Sequence, residues 1–368
     1  MKFEKEKKVE VARNEFIKAF NHLVGILKMK GLSRKVALGL ALMALIGGRA
    51  SIRNTAITFG LNYTNLLEAL ERLEEAWKNY LDTLSKTIVG PVVVIIDDTF
   101  DHKPYSRVEE IASKYGNYIF WCSTHKKFEP GIQILTIALH DLTTGKSYPV
   151  GAFPYVTRKM WENGIVNEFK TKIEMAAEIL EVLKGKFPVA RVVFDSWYWS
   201  ERLVRGCVVS ELRSNRRLLR VRCLEGGRTL GVEGHLHVSD LPPGSYLADL
   251  TLGSQVITIK LLVLEYKSSR LNLYTTDLNL GDEEIEATWR IRWEIEKFHR
   301  DIKALGMQDS SFLKRKRLQG YLLLFVMVVN TVRDLISSLN LRSVEEFLRF
   351  VEIRLGGALG LMKIFKLR

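Results

Sequence analysis

Apolar side chains recur at three- and four-residue steps over residues 14–84, beginning with Phe16, Phe20, Leu23, Val24 and Leu27, and this period predicts a helical N-terminal segment. Within it, residues 50–73 read as two short helices around Gly60 and Asn62. Ala56 stands where a helix-turn-helix needs a small residue, and the second helix is predicted from about Tyr63 to Leu73. An ordinary helical hairpin satisfies the same spacing. At Pro91 the pattern changes to Val92, Val93, Val94, Ile95 and Ile96, a β-branched run that predicts a strand buried on both faces and a boundary near Gly90. Residues 118–123 and 131–140 are further strand candidates. Residues 166–184 then form an amphipathic helical pattern with Phe169, Ile173, Ala176, Ala177 and Leu180 on one face, followed by a buried strand at 189–194.

From 207 to 277 the runs become short and alternating, broken by Gly and Pro, which predicts a β-rich insertion. A long helix is expected over 282–305, with Asp282 as N-cap, Glu283, Glu284 and Glu286 in its first turns and Gly306 as its stop. Helices at 313–339 and 343–355 complete the chain. The order strand, strand, strand, helix, strand is that of a ribonuclease-H-like α/β fold, a mixed sheet carrying acidic residues at strand ends. The expected division is 1–88 as a helical DNA-binding module, 89–206 as the first part of the core, 207–279 as the insertion with the last core strand, and 280–368 as the C-terminal helices. The longest apolar run, 321–329, is about half the roughly 20 residues that cross a bilayer, so it predicts a buried helix and no membrane partner.

Charge narrows the class of partner. Lys and Arg total 55 against 42 Asp and Glu, a formal charge of +13, which favours a polyanion such as nucleic acid over a neutral ligand. Charge alone also fits a basic protein with no such partner. Cys122, Cys207 and Cys223 form no CxxC pair, which argues against a disulfide framework and for a reducing, cytoplasmic setting.

Two apolar strands end in acids, Ile95-Ile96-Asp97-Asp98-Thr99 and Val193-Phe194-Asp195-Ser196. A carboxylate at the end of a buried strand loses hydration, and a shared divalent cation compensates for that loss. The plainer reading is an acid that caps the next turn. On the long helix, Arg292, Glu296, His299 and Lys303 share one side, a pattern that a solvated charged face also produces.

This stretch resembles the Y-x2-R-x3-E-x6-K signature of DDE-type insertion-sequence transposases with a β-rich insertion before the last carboxylate. Trp289, Arg292, Glu296 and Lys303 occupy its four positions, with Trp in place of Tyr. Asp195-Ser196-Trp197-Tyr198 is similar to the second-aspartate motif of those families, and residues 210–217 resemble the basic stretch that follows it. The resemblance implies a catalytic set of Asp97 or Asp98, Asp195 and Glu296. Successive strand residues face opposite sides, so only one of the adjacent aspartates can meet Asp195. The family's Asp-x-Ser/Thr pattern selects Asp97, with Asp98 as the fallback. Asp97, Asp195 and Glu296 would hold two Mg²⁺ ions, with Mn²⁺ able to substitute.

The implied activity is strand cleavage at transposon ends and strand transfer into target DNA, by a homodimer in a synaptic complex. Trp289, Arg292, Lys303, Arg213, Arg216 and Arg217 are the implied DNA contacts. The alternatives are a silent, transposase-derived DNA-binding protein and a nuclease that cuts without joining. Trp197, Trp199 and Trp293 are candidates for a base-stacking platform, with core packing as the default. Cys207, Cys223, His235 and His237 match no common zinc spacing and are expected to be ordinary strand residues. Arg220 and Arg222, with residues 314–317, extend the basic surface.

Overall fold

The computed structural model describes residues 2–46, 50–103, 119–122, 124–164, 166–225, 229–230, 236–267, 269–310, 312 and 314–367. Tyr118 and Ser123, the ends of one expected strand, lie outside the described residues, as do His235 and Leu313.

The N-terminal helices are α1 (Lys2–Ile26), α2 (Arg34–Leu42), α3 (Ile52–Phe59), α4 (Tyr63–Glu71) and α5 (Leu73–Thr87). Gly60 ends α3 at φ 60°, a left-handed turn that glycine makes without steric cost. Asn62 then caps α4 by accepting from the N–H groups of Thr64 at 2.8 Å and Asn65 at 3.2 Å. The two-helix reading of residues 50–73 therefore describes the local structure, with a break at Arg72.

The sheet is built from β1 (Val92–His102), β2 (Ile119–Cys122), β3 (Lys127–Asp141), β4 (Ser147–Pro154), β5 (Val189–Phe194) and β6 (Val208–Glu211). β1 lies between β3, which runs antiparallel to it, and β5, which runs parallel; β6 is parallel to β5 and β4 antiparallel to β3. Val92 to Ile96 are buried as their unbroken apolar run requires.

The two strands expected after β1 are the arms of one hairpin, and the third large strand of the antiparallel half is β4, which sequence reasoning did not assign. Pro149, Gly151 and Pro154 count against a strand, but β4 pairs only with β3, and an edge tolerates residues that donate nothing to a ladder. After β6 the insertion supplies β7 (Arg217–Leu218), β8 (Arg220–Cys223), β9 (Thr229–Leu230), β10 (Leu236–His237), β11 (Gly244–Leu252), β12 (Gln255–Tyr266) and β13 (Ser269–Thr275). β13 pairs with β6, so the insertion extends the same sheet.

The remaining helices are α6 (Arg158–Glu162), α7 (Lys172–Lys184), α8 (Asp282–Ile291), α9 (Trp293–Ala304), α10 (Arg315–Ser338), α11 (Val344–Arg354) and α12 (Gly357–Phe365). The helix expected from 166 begins only at Lys172, because Thr171 and Glu174 close a reciprocal capping box. Gly281, not Asp282, is the N-cap of α8, since Lys260 and Ser245 claim the Asp282 carboxylate.

By composition α10 could cross a membrane, yet 72% of its most apolar window is buried inside the protein. It packs against β4 on one side and against α1, α2, α4 and α5 on others. Each fully buried Leu, Val or Phe there contributes roughly 1.5–3 kcal/mol. Trp77 Nε1 and Tyr80 Oη of α5 donate to Val150 and Pro149 carbonyls, and Asn330 of α10 also donates to Pro149, so the N-terminal helices share the core of the sheet.

Candidate active site

The two acidic positions are neighbours, although only Asp195 follows a strand end: β1 continues past Asp97 to His102, because Asp97 to His102 stay paired with β3. Ile96 of β1 stands opposite Phe194 of β5, which places Asp97 beside Asp195 at the same edge of two parallel strands. Asp97 is buried at 7% exposure, and Asp195 is partly buried. Burial raises the Asp97 carboxyl to about 6; His299 and Arg292 pull it back and Asp195 pushes it further. Asp195 is also raised, first by burial and then by Asp98, while the Trp197 N–H, Arg292 and Lys172 oppose the shift. Its Oδ1 accepts from Trp197 N at 2.9 Å, so the turn-capping reading and the site reading hold for the same residue.

The adjacent aspartates take different cationic partners, although the Asp98 charge also acts on Asp195. Asp97 meets the α8–α9 junction, whereas Asp98 forms an ion pair with Lys172 of α7. The expected single helix over 282–305 is interrupted at Arg292. There the bonds Arg292 N to Trp289 O and Ile295 N to Arg292 O span three residues rather than four, although φ −53° and ψ −33° stay helical.

That step aims the guanidinium into the site. Arg292 Nη1 donates to Asp97 Oδ2 at 3.0 Å and lies 3.8 Å from Glu296 Oε1. Its Cζ sits 5.0 Å from the Trp289 ring centre and 5.4 Å from that of Trp293, a cation held between two indoles. Trp289 thus fills the aromatic position by covering Arg292 and needs no hydroxyl for that contact. Arg292 Nε is buried without a hydrogen-bond acceptor.

Glu296 is the most open of the three acids, with a side chain 46% exposed. Its carboxyl is lowered, first by the hydrogen bond with His299 and then by the charges of His299, Arg292 and Lys303. His299 is buried and its Nε2 lies 2.8 Å from Thr136 Oγ1, which itself donates to the Asp97 carbonyl at 3.1 Å. Lys303 is partly buried, and its charge reaches both Glu296 and Asp101.

Two neighbours escaped the sequence reading. Glu211 ends β6 one residue after Ser210, the partner of Phe194, and its carboxyl is raised by burial, opposed by Arg292 and reinforced by Asp195. A third strand ending in an acid was the available signal. Tyr198 is fully buried, its hydroxyl has no hydrogen-bond partner, and its phenol is pushed well above its ordinary value by burial and then by Asp98, Asp97 and Asp195.

The basic and aromatic candidates divide. Arg213 and Arg217 are exposed, while Arg216 lies 5.3 Å from the Trp199 ring centre. Trp197 and Trp293 are exposed, contrary to the expectation of core packing, and Trp197 covers Lys172 at 4.1 Å. Trp199 packs edge-on against Tyr274. A cavity of about 890 Å³ is lined by Trp121, Tyr155, Lys172, Trp197, Trp199 and Arg216 among others. Arg317 is taken by an ion pair with Glu71 at 2.7 Å. Cys207 immediately precedes β6 and Cys223 lies on β8, four strand spacings away at roughly 20 Å, so the two thiols cannot share an ion.

The family model described as "Archaeal putative transposase ISC1217" matches residues 5–344. No curated protein matches the chain.

Proposed function

The chain belongs to this ISC1217 family of DDE-type insertion-sequence transposases, and from that premise we propose that it cuts DNA at transposon ends and joins the freed ends to target DNA. The observation that carries the reading is the convergence on Arg292 of Asp97, Glu296 and, through its charge, Asp195. The mixed sheet, with Asp97 within β1 and Asp195 just past the adjacent parallel β5, supports the ribonuclease-H-like assignment.

The donors fit a hard divalent cation. Asp97, Asp195 and Glu296 offer only carboxylate oxygens, and burial, which raises the carboxyls of Asp97 and Asp195, is a cost that a bound cation would offset. These three residues would hold Mg²⁺ or Mn²⁺, two ions in the reading that the resemblance implies. Bound there, the metal supplies an activated water and stabilises charge developing at the phosphate.

The chain's own groups do the rest. Arg292 neutralises Asp97 and, with a buried Nε that has no acceptor, is suited to hold a phosphate of the transposon end beside the carboxylates. Lys303 holds a second phosphate. His299, anchored on Thr136, orients Glu296. The exposed Arg213 and Arg217 track the backbone, and α4 presents Tyr63, Thr64, Asn65 and Glu68 to solvent as the face available to a DNA groove. A second copy completes the synaptic complex.

The test is incubation of the full chain with end-containing duplex and Mg²⁺ or Mn²⁺, comparing the parent with Asp195→Asn and Glu296→Gln. Both variants are expected to bind and not cut. Normal cleavage by either rejects its role. Cut 3′ ends that never become attached to a second duplex identify a nuclease instead, and a parent that binds without cutting identifies a DNA-binding protein.

A further inference from the structure

A second cluster of ligating side chains lies on the β2–β3 hairpin and the end of β1, apart from the carboxylate site. His102, Cys122, His125 and Glu129 each offer one ligand atom, and the four atoms lie within 4.8 Å of one another. Glu129 Oε2 is 3.3 Å from His102 Nδ1 and 2.7 Å from His125 Nδ1, and Cys122 Sγ is 4.0 Å from His102 Nε2. A tetrahedral ion with bonds of about 2.0–2.3 Å separates its ligand atoms by roughly 3.3–3.8 Å. The observed separations bracket that range, so with one ring nitrogen of His102 as ligand the four side chains can close on one centre by side-chain rotation.

Three further features favour a built site. Cys122 is buried, yet its sulfur accepts the His125 backbone N–H at 3.4 Å, the bond that stabilises a thiolate in a Cys-x-x-His turn. Lys126 follows His125 at φ 52°, a left-handed conformation that a lysine adopts only where the turn dictates it. Lys127 takes the other oxygen of Glu129 at 3.0 Å and leaves Oε2 to the two imidazoles. Among the described residues this is the one group of three or more His, Cys, Asp or Glu whose ligand atoms all lie within 4.8 Å of one another.

We propose that His102, Cys122, His125 and Glu129 bind a structural zinc ion that pins the β2–β3 hairpin to the end of β1. Thiolate and imidazole select zinc over the magnesium suited to an all-carboxylate site, and four protein ligands close the coordination sphere. His102 lies on the strand that carries Asp97, five residues further along, so the ion fixes the far end of that strand.

The experiment measures metal, not catalysis. Full-length protein dialysed against metal-free buffer is expected to retain one zinc per chain. Cobalt titrated into stripped protein is expected to show a thiolate-to-metal charge-transfer band. Cys122→Ser abolishes that band, whereas Cys223→Ser and Asp195→Asn keep it. Because the His125 ring is half exposed, His125→Ala spares the core, and it is expected to weaken zinc binding at least about tenfold. A band that survives Cys122→Ser, or zinc affinity unchanged in His125→Ala, overturns the proposal. Loss of cleavage with zinc still bound bears on the carboxylate site alone.

Discussion

Arg292 and Asp97, 195 positions apart in the chain, are joined by a 3.0 Å charge-assisted hydrogen bond at the centre of the acidic site. The guanidinium stands in for a cation among the carboxylates, and two indoles hold it there. Arg292→Ala is expected to lower strand cleavage by about 100-fold or more, the usual cost of losing a fixed charge at a reacting phosphate. Arg292→Lys keeps the charge without the fork and falls between. Cleavage by the alanine variant at the parental rate would show that Arg292 takes no part.

The two adjacent aspartates are separable by substitution. Asp97→Asn is expected to reduce cleavage by about 10³-fold or more, and Asp98→Asn, whose partner is Lys172, by less than about tenfold. Duplex binding measured alongside should change little in either. The opposite ranking would assign the first carboxylate to Asp98.

Asp101 makes a pH prediction away from the carboxylate triad. It is 1% exposed and burial raises its carboxyl to about 6 from 3.8, with Lys103 and Lys303 opposing the shift. In that window the folded state keeps a proton the unfolded chain has released, so this group's contribution to stability falls as pH rises from about 4 to about 6. In chelator, the Tm of the parent should therefore fall relative to that of Asp101→Asn across this range. A constant difference between the two melting curves would contradict the assignment.

Gly320 lets α10 approach the backbone of α4 at Leu70. A Cβ there would stand 1.8 Å from the Leu70 carbonyl oxygen and 2.7 Å from its carbon, backbone atoms that cannot turn aside. Gly320→Val should cost about 3 kcal/mol or more, as overpacking against backbone does. Denaturant unfolding measures it, and an unchanged midpoint would mean that the helices separate without loss.

Arg213 and Arg217 test the DNA surface. If each contacts a phosphate, each alanine substitution should reduce the slope of log K against log salt by about one, with little effect on sequence preference. Arg216, held against Trp199, should have a mixed effect because its removal also loosens the cavity wall. Slopes identical to the parent's would place the DNA elsewhere.

Much of the fold was readable because its signals are local. The run 92–96 demanded a buried strand, Gly60 and Asn62 a turn and a cap, and Gly306, at φ 89°, the end of α9. β4 was not readable, since Pro149 and Gly151 argue against a strand until its place at the edge is known. The start of α7 was legible in the Thr171 and Glu174 pair, although the amphipathic pattern drew the helix too far back. Trp197 and Trp293 were misplaced because residue type alone gives no sign of whether a charged neighbour will hold an aromatic at the surface.

Sequence alone determined the candidate acids, the Trp289, Arg292, Glu296 and Lys303 spacing and the basic character, because each depends on residue type and on distance along the chain. Tertiary structure decided which acids meet. Pairing of β1 with β5 brings Asp97 and Asp98 within reach of the Asp195 charge, Asp98 pairs with Lys172, and Arg292 reaches Asp97. It also gathered His102 with Cys122, His125 and Glu129. Such convergence depends on strand register and helix placement, which the packing of the whole core fixes and no local pattern encodes.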